Sequence, residues 1–144
     1  SRSHIGRVLV KKGYFTSVRE AFDAVLKKGT PAYVPHYHLE ASDIIALIKA
    51  AGGTPVLAHP KLIGDDEVVR ELCQSGLEGI EAFYPQHDEA DTARYLSMAE
   101  EFGLLVSGGS DFHGYPTRYP SELGVFTIED KWAEKFYRPQ QQLG

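Results

Sequence analysis

Three short apolar runs decide the fold of this chain: PVLAH at residues 55–59, LEGIEAFY at residues 77–84 and LLV at residues 104–106. Helical patterns separate the runs, one ending at Gly76 and a longer one extending from Asp88 to Phe102. Short buried strands that alternate with helices pair in parallel through right-handed crossovers. The sequence therefore predicts an α/β fold.

The flanking parts of the chain differ from each other. A further helical pattern precedes the first run. A parallel sheet needs helices on its faces or closure into a barrel. We therefore interpret residues 42 to about 129 as part of an α/β barrel. Residues 3–29 instead carry two short apolar helix faces and predict a helical hairpin. We therefore predict two parts, a helical subdomain over residues 1–40 and an α/β part over residues 41–144.

The composition excludes several classes of protein. The 144 residues are 42% hydrophobic and 24% charged, which is typical of a globular domain and rules out a mostly disordered chain. The formal net charge of -5 argues against a generally basic surface for nucleic acid. Cys73 is the only cysteine, so an intramolecular disulfide and a cysteine-rich zinc module are excluded. No apolar run approaches the ~20 residues of a membrane span, and we expect a cytoplasmic protein without a membrane partner.

Candidate ligand residues follow each predicted strand. His59 closes the first strand, and His87 lies just beyond the second. The third strand leads into Asp111 and His113. Sites in α/β folds form at the carboxyl ends of parallel strands. Each residue also has an ordinary structural interpretation, since a strand-end histidine can be a hydrogen-bonded packing residue and an aspartate can cap a turn.

The third strand end carries the strongest signal, the triplet Asp111-Phe112-His113. In an extended stretch, residues i and i+2 point the same way, so we expect the carboxylate and the imidazole to face one cavity. A carboxylate oxygen beside an imidazole suits Mn, Fe or Zn. Gly108 and Gly109 would let the backbone approach a ligand closely. Together with the histidine on the first strand end, the pattern predicts a metal site.

Longer motifs contain these residues: LAHP at 57–60, GIE at 79–81 with YPQH at 84–87, and SGGSDFHG at 107–114. They resemble the later motifs of the PHP family (polymerase and histidinol phosphatase). The branch that they resemble most holds metal-dependent phosphoesterases that act on nucleoside 3′,5′-bisphosphates and short RNA ends. RSHI at 2–5 and AYVP at 32–35 resemble the two ends of the helical insertion subdomain of that branch.

The resemblance implies a seven-stranded barrel that binds up to three divalent metal ions (Mn, Fe, Zn or Mg). Carried over by the matching motifs, His59, Asp111 and His113 are metal ligands. The ions would lower the pKa of a bound water, which would attack phosphorus in line. Asp111 and His87 are the catalytic candidates, with His87 protonating the leaving group. The alternative for His87 is an ordinary residue at the start of a helix.

The same resemblance implies phosphate contacts. Arg2 and His4 fit a phosphate clamp by family position, because arginine offers a planar fork to phosphate oxygens. Outside the family context they would be an ordinary solvated pair. His87 and Arg118, in the loop after the metal motif, are further candidates for contacts with the nucleotide or short RNA substrate. Tyr84 could stack on a base or belong to the core.

The first motifs of the family have no counterpart in this chain. The family begins with a His-x-His strand end, followed by further His, Asp and Glu ligands. His36-Tyr37-His38 has that spacing but follows Pro35 instead of a first strand, so we do not count it. We therefore expect a C-terminal fragment with half of the barrel, inactive alone, that self-associates or pairs with the missing N-terminal half. The alternative is a non-catalytic domain that binds a nucleotide or a partner.

Overall fold

The computed structural model describes residues 2–35, 39–113 and 122–137. The chain divides into two compact units, Ser1–His38 and Leu39–Gly144. Two features named above lie outside the described residues, the predicted phosphate contact Arg118 and the triplet His36-Tyr37-His38.

The first unit contains the predicted helical hairpin. Helix α1 spans Arg2–Lys11 and helix α2 spans Val18–Ala21. A π-helical turn over Phe22–Leu26, which the sequence did not predict, continues α2. Gly6 lets the two helices approach closely, because a Cβ atom there would lie 2.9 Å from Cγ1 of Val18. Helices this short depend on such packing, since isolated helices below about 12–15 residues are marginal in water.

The second unit alternates helices and strands. Its three strands form one sheet in the order β1-β2-β3, and both pairs are parallel, which confirms the predicted parallel α/β pattern. The elements in chain order are α3 (Ala41–Ala50), β1 (Val56–Leu57), a 3-10 turn (Pro60–Ile63), α4 (Asp66–Gln74), β2 (Gly79–Phe83), α5 (Glu89–Phe102), β3 (Leu105–Gly108) and α6 (Asp130–Glu134).

The bounds of the strands differ from those predicted. Strand β1 ends at Leu57, two residues before the predicted end at His59, whose left-handed backbone does not fit a strand. Strand β3 continues beyond the predicted end to Gly108, and α6 was not predicted. The sheet of the described residues has three strands, so the seven-stranded barrel stays a prediction.

Among the described helices, none combines the length and the apolar character needed to cross a membrane.

A buried apolar cluster joins the sheet to its helices. Ile80 and Ala82 of β2 are fully buried, and Val106 of β3 is 6% exposed. Phe83 contacts the ring of Trp132 on α6, with 5.6 Å between the ring centroids. The buried residues from α4 and α5 are Val69, Cys73, Tyr95, Met98 and Ala99. The polar residues discussed below collect beside this cluster, at the carboxyl ends of the strands.

Candidate active site

His59 follows β1 in a left-handed backbone conformation, with φ of 35°. Such a conformation costs a residue other than glycine about 1–3 kcal/mol, and it persists only where the surrounding contacts hold it. One contact is a hydrogen bond that the His59 N–H donates to Oε2 of Glu81 on β2, with an N···O distance of 2.6 Å. The imidazole ring lies 5.7 Å from the ring of Tyr84, between centroids. The segment around β2 therefore holds both the backbone and the ring of His59.

Glu81 is a site residue to which the sequence analysis gave no role. Burial raises the pKa of its carboxyl, while the hydrogen bond from His59 lowers it. Burial is the larger effect, so the pKa of Glu81 lies above its ordinary value, and the negative charge of Asp111 raises this pKa further. A single carboxylate within an apolar strand, between Ile80 and Ala82, was the signal that could have identified it.

Tyr84 links the first and third strand ends. It is 2% exposed, and its hydroxyl donates to Oδ2 of Asp111 at 3.2 Å. The same hydroxyl accepts a hydrogen bond from Nε2 of Gln86 at 3.2 Å. Its ring also contacts the ring of His87, with 5.2 Å between centroids. Of the two alternatives for Tyr84, the structure supports the core residue, because a ring this buried offers no face to a base.

Asp111 and His113 are close to each other, but the reason differs from the one predicted. Asp111 has a φ of 52°, so the triplet is not extended and strand alternation does not orient its side chains. The His113 ring instead folds back, with Nδ1 2.5 Å from the Asp111 carbonyl oxygen and 3.5 Å from Oδ1. Aspartate tolerates the left-handed region better than most residues. A local turn therefore brings the carboxylate and the imidazole together.

The two glycines before this turn have different surroundings. A Cβ atom on Gly108 would lie 2.5 Å from Cβ of Phe83 and 2.8 Å from Cγ2 of Ile128. A Cβ atom on Gly109 would meet nothing within 4 Å. Gly108 therefore makes the close backbone approach predicted for this pair, and the approach is to the neighbouring strand β2.

His87 packs between aromatic rings. Its Nδ1 lies 2.9 Å from the Ala82 carbonyl oxygen, which can only accept, so Nδ1 carries a proton. The ring centroid is 5.0 Å from that of Tyr95. The other nitrogen, Nε2, is buried and has no hydrogen-bond partner in the described part of the chain. An unsatisfied buried nitrogen is uncommon and is consistent with either of the two interpretations of His87.

The predicted phosphate contacts Arg2 and His4 belong to the first unit. The Arg2 guanidinium lies over the rings of Phe22 and Tyr33, 5.3 Å and 5.7 Å from their centroids. Its Nη1 donates to the Leu26 carbonyl oxygen at 3.5 Å. His4 is exposed on α1. Within this unit Arg2 thus contributes to the packing of the hairpin.

The side chains at the strand ends fit a divalent cation in type. Carboxylate oxygen and imidazole nitrogen are donors that Mn, Fe and Zn accept, and Asp111, His59 and His113 supply them. In residues 2–35, 39–113 and 122–137, however, no group of three or more His, Cys, Asp or Glu side chains is arranged to hold a metal ion. Asp111, His59 and His113 could therefore supply part of the set of ligands that a divalent cation needs.

Comparisons with known proteins identify relatives of the chain. No protein-family model matches the sequence. The chain is 32% identical over 120 residues to a phosphoribosyl 1,2-cyclic phosphate 1,2-diphosphodiesterase of Eggerthella lenta, covering 83% of this chain and 46% of that protein. It is 34% identical over 120 residues to a 3′,5′-nucleoside bisphosphate phosphatase of Chromobacterium violaceum, covering 78% of this chain and 41% of that protein. A 5′-3′ exoribonuclease of Escherichia coli is 28% identical over 118 residues, with 78% of this chain and 40% of that protein covered.

The fold also resembles a solved structure. A protein assigned as a metal-dependent phosphoesterase from Bifidobacterium adolescentis superimposes with a TM-score of 0.75 and 30% sequence identity. The match covers 94% of this chain and 49% of that protein. The chain thus spans less than half the length of the relatives it matches.

Proposed function

Because this chain belongs to the PHP family of metal-dependent phosphoesterases, we propose that it is part of an enzyme that hydrolyses phosphate esters of nucleotides. The substrates proposed are nucleoside 3′,5′-bisphosphates and short RNA ends, because one relative is a 3′,5′-nucleoside bisphosphate phosphatase and another is a 5′-3′ exoribonuclease. One observation carries the proposal above all. Glu81 and Tyr84 connect His59 at the first strand end to Asp111 at the third, so ligand-type groups from two strand ends surround one polar region.

The proposed metal ligands are His59, Asp111 and His113. Divalent ions bound there would neutralise phosphate charge and activate a water for attack on phosphorus. Because Nδ1 of His113 faces Asp111, Nε2 is the nitrogen that this ring would offer. The metal is Mn, Fe, Zn or Mg. Ligands from outside the described residues would complete the set.

The other predicted side chains would act on the substrate. In the neutral His87 ring the proton is on Nδ1, so Nε2 would accept a second proton. The charged ring would then donate that proton to a phosphate oxygen or a leaving group. Arg2, His4 and Arg118 are proposed to bind phosphate oxygens. For Arg2 this would require the guanidinium to serve phosphate while it still contacts Phe22 and Tyr33. Stacked arginines retain donors for such a role.

The proposal includes a larger barrel. In the described sheet β1 and β3 are the edge strands, and open edges pair readily with further strands. Helix α3 also carries exposed apolar side chains, with Leu47 68% exposed. We expect this chain to self-associate or to pair with the remaining strands of a seven-stranded barrel, and to be inactive on its own. Light scattering at high concentration tests the pairing, and a monomer would contradict it.

The proposed function is tested by replacing one ligand in the whole protein. Asp111→Ala should abolish Mn²⁺-dependent phosphate release from a nucleoside 3′,5′-bisphosphate. Asp43→Ala, an exposed aspartate in the first turn of α3, is the matched control and should retain activity. Turnover by Asp111→Ala at the control rate would overturn the assignment.

A second candidate function is a non-catalytic domain that binds a nucleotide or a partner. It is favoured by the incomplete ligand set of the described residues. A titration of the chain with a nucleoside 3′,5′-bisphosphate, with and without Mn²⁺, separates the two. Tight binding that does not depend on the metal would favour the binding domain.

A further inference from the structure

The chain segment that contains β2 makes hydrogen bonds to two residues that follow β1 and β3, and both of these residues have a positive φ. In the described part of the chain, His59 and Asp111 are the two residues other than glycine with such a backbone. Glu81 accepts a hydrogen bond from the first, and Tyr84 donates one to the second. We infer that Glu81 and Tyr84 are positioning residues, which hold the proposed ligands His59 and Asp111 in a geometry that binds a metal. This inference rests on the proposed function.

Glu81 acts on the backbone of His59. The side chain leaves the backbone in a direction that φ and ψ determine, so the orientation of the imidazole depends on the left-handed conformation at this residue. The N–H of His59 is held by Oε2 of Glu81 at 2.6 Å, which is a short, charge-assisted bond. Without this acceptor, the strained conformation would lose one of the contacts that hold it.

Tyr84 acts on the carboxylate of Asp111. Because Gln86 donates to its oxygen, the proton of the hydroxyl is directed to another acceptor, and Oδ2 of Asp111 lies 3.2 Å away. That bond orients the carboxylate, whose other oxygen, Oδ1, lies 3.5 Å from Nδ1 of the proposed ligand His113. The buried ring also lies against the His59 ring, so one residue contacts both proposed ligands. Partners of this kind orient metal ligands in many proteins.

The irregular end of β2 brings the two residues to the same region. Three positions separate Glu81 from Tyr84, a spacing that places side chains on opposite faces of a regular strand. The pairing of β2 with β3 shifts register between Glu81 and Phe83, and the strand ends at Phe83. Such irregularities redirect side chains and are frequent beside active sites.

The test is a Mn²⁺ titration of the chain, in which the paramagnetic broadening of its NMR signals measures metal binding. Glu81→Ala and Tyr84→Phe should each weaken Mn²⁺ binding by about 10–100-fold. Glu81→Gln keeps an acceptor oxygen and should recover most of the affinity. Tyr95→Phe is the matched control, because it removes a hydroxyl from another buried tyrosine whose ring contacts His87 and Arg94. It should bind like the unmodified chain.

Two further measurements separate the outcomes. The amide of His59 should exchange with solvent faster in Glu81→Ala, which checks that the hydrogen bond was removed. Asp111→Ala reports on the proposed site itself. If Asp111→Ala weakens binding while Glu81→Ala and Tyr84→Phe do not, the positioning roles are wrong and the proposed function stands. If Asp111→Ala binds Mn²⁺ like the unmodified chain, or if that chain does not bind at millimolar Mn²⁺, the metal site and this inference both fail.

Discussion

Lys61 and Asp91 form a direct ion pair that ties the turn after β1 to helix α5. Asp91 is 3% exposed and also pairs with Arg94. A reciprocal capping box with Asp88 completes its hydrogen bonds, with N···O distances of 2.9 and 3.1 Å. Because Lys61 lies two residues after His59, the pair anchors the segment that carries the first proposed ligand.

Removing the buried carboxylate should destabilise the fold. In Asp91→Ala, Lys61 and Arg94 lose their shared partner, and α5 loses its capping box. We expect the midpoint of thermal unfolding to fall by several degrees, because the capping box and both ion pairs of a buried carboxylate are lost together, while Lys61 and Arg94 keep their contacts with Asp88 and Asp66. Asp43→Ala on α3 should change the midpoint little. Circular dichroism measures the two midpoints, and equal values for both variants would contradict the anchoring role.

The same pair predicts how stability depends on pH. The hydrogen bond from Lys61 lowers the pKa of Asp91 below its ordinary value of 3.8. A group whose pKa is lower in the folded state stabilises the fold above its unfolded pKa, and that contribution is lost as the pH falls through the folded pKa. The midpoint difference between the unmodified chain and Asp91→Asn should therefore be constant from about pH 7 to pH 5 and shrink below about pH 4. A difference that persists undiminished to pH 3 would be inconsistent with this linkage.

Gly108 and Gly109 should respond differently to the same substitution. Gly108→Ala places a methyl group 2.5 Å from Cβ of Phe83 and 2.6 Å from its carbonyl oxygen, so the strands must separate. Overpacking of this kind costs about 1–3 kcal/mol. Gly109→Ala meets nothing within 4 Å and serves as the control. Urea denaturation measures both, and equal losses of unfolding free energy would show that the contact of Gly108 with β2 is unimportant.

The contact between Phe83 and Trp132 predicts that α6 stabilises the sheet. Trp132 is half-buried against β2 and β3, and replacement by alanine should lower the free energy of unfolding by about 2 kcal/mol, below the 3–5 kcal/mol of a fully buried ring. Tyr137→Ala, at a side chain 81% exposed, should cost no more than about 0.5 kcal/mol. Urea denaturation followed by circular dichroism gives both values. A Trp132→Ala variant as stable as the Tyr137→Ala variant would show that this packing contributes little.

The order of the helices and strands in the second unit could be predicted because its signals are local. Apolar periodicity marked α3, α4 and α5, and Gly76 and Gly103 follow the helices that they were expected to end. Where a signal depended on distant contacts, prediction failed. The left-handed backbone at Asp111 contradicted the extended triplet: a local turn replaced strand alternation, and the Asp111 carboxylate in that turn is held by the distant Tyr84.

The sequence by itself determined the alternation of strands and helices, the histidines and aspartate at the strand ends, and the resemblance to a family of phosphoesterases. These features depend on residues near one another in the chain. The tertiary structure decided the roles of Glu81 and Tyr84, whose hydrogen bonds to His59 and Asp111 span 22 and 27 residues. Such contacts exist only after the strands have paired in one register, so the pattern of neighbouring residues along the chain does not show them.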